Sequence, residues 1–192
     1  LIHEDVELSF IDAITIEPYI IGLWLCSNDY NNLRFSKKNV QTMIALINFI
    51  DNFDIQHNDT HDYIVITDYR VIGQFYKYNL FTNPRIPGHI KYNNRSIRTR
   101  MFNGFIEFFG STNVVEVYNK PLAEDFKYIA HSIGYLTQTK NKDSKYTITV
   151  IFNNTCLKDD FRVAKIPDDD SVCIHLSPSE NFGILLSDFT VI

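Results

Sequence analysis

The hydrophobic pattern divides the chain into alternating helical and extended stretches. The run YIIGLWL (residues 19–25) follows Pro18, whose missing N–H suits the first turn of a helix, and the turn-formers of CSNDYNN end it. NLRFS (32–36) predicts a short strand. In NVQTMIALINFIDNF (39–53) Val40, Met43, Ile44, Ile47 and Ile50 recur with a helical period. The β-branched YIVIT (63–67) predicts a strand, and DYRVIGQFYKYNLF (68–81) a helix capped by Asp68. NPRIPG (83–88) is a breaker. Asn93 or Asn94 then caps a helix running through RSIRTRMFNGFIEFF to Gly110. STNVVEVYNK (111–120) contains a strand, PLAEDFKYIAHSIG (121–134) a helix between Pro121 and Gly134, and YTITVIF (146–152) a strand.

The order matters more than any one element. Helix, strand, helix, strand occurs from Pro18 and again from about Arg95, which predicts a pseudo-repeat of two α/β halves. Gly22 and Gly104 hold equivalent places in the two leading helices, the second of which, FNGFIEFFG, is the greasiest segment of the chain yet carries Glu107. Gly costs roughly 1 kcal/mol against Ala inside a helix, so a Gly in each predicts two helices whose backbones touch. Two unrelated buried helices that each carry a Gly are the alternative.

Composition narrows the function. With 192 residues there is room for one domain or one plus a small attached piece, and 45% hydrophobic content supports a core. Eighteen basic against 23 acidic residues give net −5, so any nucleic-acid face must be local. Such a face is visible: Arg85, His89, Lys91, Arg95, Arg98 and Arg100 occur in sixteen residues without an acid. Basic residues at a helix N-terminus oppose the dipole and call for a partner, so Arg85, Lys91, Arg95, Arg98 and Arg100 are candidate phosphate contacts; a solvated surface is the alternative. Cys26, Cys156 and Cys173 have no CxxC spacing, which points to reduced thiols in a cytoplasmic or nuclear setting and away from a zinc site. No apolar run reaches the ~18 residues of a membrane span, and no signal peptide is visible. The missing initial Met suggests a fragment, an excised segment or a processed product.

IIGLWLCSN (20–28) and FNGFIEFFG (102–110) resemble the paired motifs of LAGLIDADG homing endonucleases, the kind carried inside inteins, with Gly22, Gly104 and Gly110 at motif glycines. RIPGHIKYNNRSIRTR and LAEDFKYIAHSIGYL resemble the segments on either side of the second motif. FRVAKIPDDDSVCIHLSPSENFGILLSDFTVI (161–192) is similar to an intein's C-terminal splicing block, with SVCIHL as one strand and FGILL with FTVI as the next. The resemblance implies an α+β fold of two pseudo-symmetric αββαββ-like halves forming a saddle over residues 1–156, with a C-terminal β piece of a Hint-type splicing domain over 157–192. It implies double-stranded DNA as partner, with Arg34, Asn113, Glu116, Thr147 and Thr149 on the reading strands, and an N-terminal intein segment and host exteins as further partners.

In that family each paired helix delivers an acid at its C-terminal end to a divalent metal, as hard cations require. The corresponding positions here are Ser27 and Phe109, neither of them acidic. Asp29 and Glu107 are weak substitutes, and Glu107 is expected at the rim or in solvent. No metal or other cofactor is therefore expected, with Mg²⁺ only if nuclease activity is retained. Splicing chemistry is incomplete as well: Cys173 matches a position of the tail block, while the N-terminal nucleophile and the terminal His-Asn are missing. The expectation is an intein segment whose endonuclease-like domain binds DNA without cutting it. A working Mg²⁺-dependent endonuclease, a non-enzymatic DNA-binding module and a plain α/β interaction domain are the alternatives.

Overall fold

The structure is a computed structural model and describes residues 2–3, 16–152 and 190–191. Its elements are β1 (Ile2–His3), α1 (Pro18–Cys26), β2 (Arg34–Ser36), α2 (Val40–Phe53), β3 (His57–Asp59), β4 (Tyr63–Ile66), α3 (Tyr69–Lys77), α4 (Gly88–Lys91), α5 (Arg95–Phe108), β5 (Val114–Val117), α6 (Lys120–Ser132), β6 (Leu136–Lys142), β7 (Lys145–Ile151) and β8 (Thr190–Val191). Each helix start has a local cause. Asn39, Asp68, Asn94 and Asn119 accept from backbone N–H groups of the first turns of α2, α3, α5 and α6, and Glu17 does the same before Pro18. Asn94, whose side chain accepts from Ile97 N at 3.1 Å, thus decides between the two asparagines open from sequence.

The fold is α+β and doubled. From α1 and again from α5 the chain reads helix, strand, helix, strand, strand. Each half forms a three-stranded antiparallel sheet in which the last strand lies between the other two, β2-β4-β3 and β5-β7-β6. Three elements were not legible in the pattern. β3 is exposed at all three residues and β6 at five of seven, so neither shows the apolar alternation of a half-buried strand. α4 is a single turn inside the Pro-rich breaker, starting directly after Pro87.

The halves meet through α1 and α5. Gly22 and Gly104 face each other so closely that a Cβ on Gly22 would stand 2.6 Å from Met101 O and one on Gly104 2.3 Å from Tyr19 O. Ile20, Ile21, Trp24, Leu25, Met101 and Phe105 are fully buried around this crossing. Trp24 packs edge-on against Phe75 and Phe81, and its indole N–H donates to Asn32 O at 2.8 Å, so the large buried ring keeps no orphan donor. In the second half Phe102 stacks on Phe126 and Tyr135.

Outside these halves, Ile2 pairs with Val191 and His3 with Thr190 in an antiparallel two-stranded ribbon. The other tail expectations, including Cys156, Cys173, SVCIHL and a boundary at 157, lie outside the described residues.

Gly104→Ala is expected to cost about 1–3 kcal/mol, since the added methyl meets backbone that cannot swing aside. Gly73→Ala in α3, with nothing within 4 Å of the new methyl, should instead stabilise by roughly 0.5–1 kcal/mol. Urea unfolding of both variants checks the pair. A second expectation concerns acid. Asp68 is buried and accepts from Arg70 N at 2.8 Å and Gln56 N at 3.2 Å, while the Arg70 guanidinium, also bound to Asp54 O, holds its carboxyl well below the usual carboxylate range. A depressed folded-state pKa gives stability that is complete above the unfolded value of about 3.9 and is lost as pH falls below it. Asp68→Asn should flatten that acid limb of a stability-versus-pH curve.

Candidate nucleic-acid interface

The C-terminal ends of α1 and α5 are where the resemblance puts metal-binding acids, and the structure places Ser27 and Phe109 there as the two C-caps, each five residues beyond its glycine. Ser27 is engaged locally: its hydroxyl donates to Trp24 O at 2.7 Å and accepts from Asp29 N at 3.2 Å. The Asp29 carboxylate lies 3.3 Å from the Arg34 guanidinium, which itself sits 4.1 Å over the Tyr63 ring. These groups line a cavity of about 350 Å³ with Lys38, Asn39 and Phe108. At the other helix end Phe109 packs edge-on against Phe108 and offers no donor.

Glu107 is not a rim residue. It is half-buried and ties the halves together: the Tyr19 hydroxyl donates to its carboxylate at 2.7 Å, and Asn39 Nδ2 donates to its backbone oxygen at 2.8 Å. Burial first, and then the Glu107 carboxylate, push the Tyr19 hydroxyl far above its ordinary pKa. Tyr19 belongs to the first turn of α1, and its hydroxyl holds the Glu107 carboxylate. Among the described residues no group of three or more His, Cys, Asp or Glu is arranged to hold a metal ion. The donor set present here therefore does not fit a divalent ion between the helix ends: one position has a hydrogen-bonded hydroxyl, the other a phenyl ring.

The basic run of residues 85–100 is taken apart by the fold. Arg98 is fully buried and cannot reach DNA. Its guanidinium donates to Asn93 O at 3.0 Å and to Ser132 O at 2.6 Å, the carbonyl of the last residue of α6. Arg85 makes a two-pronged contact with the buried Asp125 at 2.9 and 3.0 Å, and Lys91 reaches the same carboxylate at 2.8 Å. His89 stacks on Tyr78. Arg100 pairs with Glu17. The stretch lacks acids of its own, but Glu17 and Asp125 come to it from elsewhere. Arg95 and about half of Arg100 and of Arg85 remain exposed.

A second cationic surface emerges that sequence reading missed. In the second sheet Val115 and Val117 face the core, so Glu116 points outward, and the register puts Thr147 and Lys140 beside it. The same outward row takes in Gln138 and Thr149, and it continues to Lys142 opposite Lys145 at the hairpin end. Asp143 and Ser144 turn this hairpin with positive φ, 50° and 65°. Lys145 pairs with Glu116 at 2.7 Å. Thr147, Thr149 and Glu116 are thus on one face, as the resemblance implies. Asn113 differs: its amide donates to Val150 O at the sheet's end. TQTKNK is polar at every position, so only the three lysines of KNKDSK signalled the surface. On the first sheet the corresponding outward residues include Arg34 and Tyr63. No described helix is long and apolar enough to cross a membrane.

No family model matches the chain, and no curated protein matches it. Among solved structures, the chain is similar to the homing endonuclease I-DmoI in complex with DNA and manganese, at 12% identity over 70% of this chain and 88% of that one, TM-score 0.47. It is similar likewise to mesophilic variants of the same protein, at 14% identity over 71% and 88%, TM-score 0.48.

Tyr19→Phe leaves a half-buried carboxylate without its donor and should lower stability by about 1–2 kcal/mol with the fold intact, read by denaturant titration and near-UV circular dichroism.

Proposed function

We propose that this chain is a LAGLIDADG-type homing-endonuclease domain that has lost its metal site and keeps a DNA-binding surface, attached to part of an intein's splicing domain. The observation that carries the reading is the backbone contact of Gly22 with Gly104 between two helices whose equivalent end positions, Ser27 and Phe109, hold no acid. A pair of glycines in that place has a use only if two repeats must cross at short range. The two sheets of identical strand order that flank the crossing supply a doubled surface suited to a duplex. That I-DmoI is solved with DNA and manganese agrees in kind.

DNA contact in this reading runs through outward side chains of the sheets. Lys140 and Lys142 give phosphate contacts, and Gln138, Thr147 and Thr149 sit where base edges would be read. On the first sheet Arg34 contributes when its pairing with Asp29 opens. Arg95 and Arg100 add charge at the start of α5, while Arg85 and Lys91 hold the linker to α6 and contribute field only. The splicing part rests on the likeness of residues 161–192, with Cys173 as its residue of interest, and depends on an N-terminal segment and host exteins.

Fluorescence anisotropy with random-sequence duplex, as a function of salt, tests the binding half. Affinity should fall with a log–log slope of several units, and Lys140→Ala and Lys142→Ala should each reduce that slope by about one. A slope near zero removes the reading. Supercoiled plasmid incubated with Mg²⁺ or Mn²⁺ should stay uncut, and either ion should leave the thermal midpoint of the free protein unchanged. Ser27→Asp combined with Phe109→Asp should make that midpoint rise by a few degrees with Mn²⁺, since ligand binding to the native state stabilises it.

A further inference from the structure

α2 carries an apolar stripe on its solvent side. Val40 is 68% exposed, Ile44 49% and Ile47 44%, at the spacing that aligns side chains on one helical face. The molecule supplies its own control. α2 and α6 are repeat counterparts, both capped by an asparagine, Asn39 and Asn119. Counted from those caps, the positions of Val40, Ile44 and Ile47 correspond to Lys120, Glu124 and Lys127. In α6 these residues are charged, and Lys127 pairs with Glu124 at 3.1 Å. The fold itself therefore asks for a polar residue at each place, and α2 departs from it three times on one face.

The stripe has charged ends. Val40, Ile44, Ile47 and Asp51 line one groove at the spacing of a helix–helix seam, and Lys37, two residues before the cap Asn39 and paired with Asp59, lines its other end. The sequence of properties reads basic, apolar, apolar, apolar, acidic, and Ile44 is its midpoint. Turned by 180° about Ile44, the stripe meets itself with Lys37 opposite Asp51, Val40 opposite Ile47 and Ile44 opposite Ile44. Such self-complementarity is what a two-fold interface needs. Within one chain Lys37 also touches Asp59, so the basic end already sits at the groove's rim.

We propose that the solvent face of α2 is a homodimer interface, in which α2 packs antiparallel against α2 of a second copy about a two-fold axis at Ile44. The outward row of the second sheet, which carries Lys140 and Lys142, belongs to the other half of the molecule. A dimer so formed presents two separate cationic faces. The seam is one helix wide, smaller than the ~800 Å² per partner of a stable complex, so association is weak, with a dissociation constant on the order of tens of micromolar.

Sedimentation velocity of the full 192-residue chain between low micromolar and several hundred micromolar, without DNA, tests this. The expected result is a reversible monomer–dimer shift. Ile44→Glu, which sets two like charges against each other at the axis, should weaken it at least about a hundredfold. Its thermal unfolding should match wild type, because the side chain is half exposed. Asp51→Lys should weaken the dimer about threefold, and adding Lys37→Glu should restore it. Ile44→Cys should form a disulfide-linked dimer under mild oxidation, whereas Glu124→Cys at the counterpart position should not. A chain that stays monomeric throughout, whether because its own residues or another protein cover the stripe, overturns the proposal, as does a dimer indifferent to Ile44→Glu.

Discussion

The two halves are joined where two residues have no side chain. Gly22 and Gly104 let α1 and α5 cross with backbone against backbone, and a methyl on either would stand within 2.6 Å of a carbonyl oxygen. Everything else is arranged around that constraint. Because the helices are this close, neighbouring residues such as Trp24 and Phe105 are driven outward into the two halves, where each becomes the floor of a sheet-and-helix core. The two sheets then lie on either side of the crossing, each with an outward row of side chains.

The crossing is held by packing at the glycines and by the Tyr19–Glu107 bond, neither of which uses the side chains of Ser27 or Phe109. A carboxylate at a helix C-terminus opposes the dipole by roughly 0.3–1 kcal/mol. Ser27, whose hydroxyl bonds back to Trp24 O, and Phe109, whose ring packs on Phe108, carry no such cost.

Much of this was legible before any coordinates. The glycine pair, the doubling, the cap at Asp68 and the choice of Asn93 or Asn94 as the next cap follow from spacing and residue type, because each reports a local demand of the backbone. What sequence misjudged were the basic residues. From Arg85 to Arg100 no acid occurs, yet Asp125, 25 residues beyond Arg100, takes two of those cations, and Arg98 goes inside to cap α6. Long-range pairing leaves no mark in a local window. β6 was missed for the opposite reason: an edge strand exposed on both faces has no hydrophobic period to detect, although its lysines form the clearest cationic surface.

The Tyr19–Glu107 hydrogen bond has a bearing on which helix recognises which. Three residues before Gly104 stands Met101 and three after Gly22 stands Leu25, so the repeat-related counterpart of this polar couple is two fully buried apolar side chains. Were α5 to cross a second α5, Glu107 would lose its hydroxyl donor and face a thioether; were α1 to cross another α1, Tyr19 would find only leucine. The crossing thus distinguishes the sister repeat from a copy of itself, which keeps like-with-like pairing of α1 with α1 or α5 with α5 at a disadvantage wherever many chains are made together.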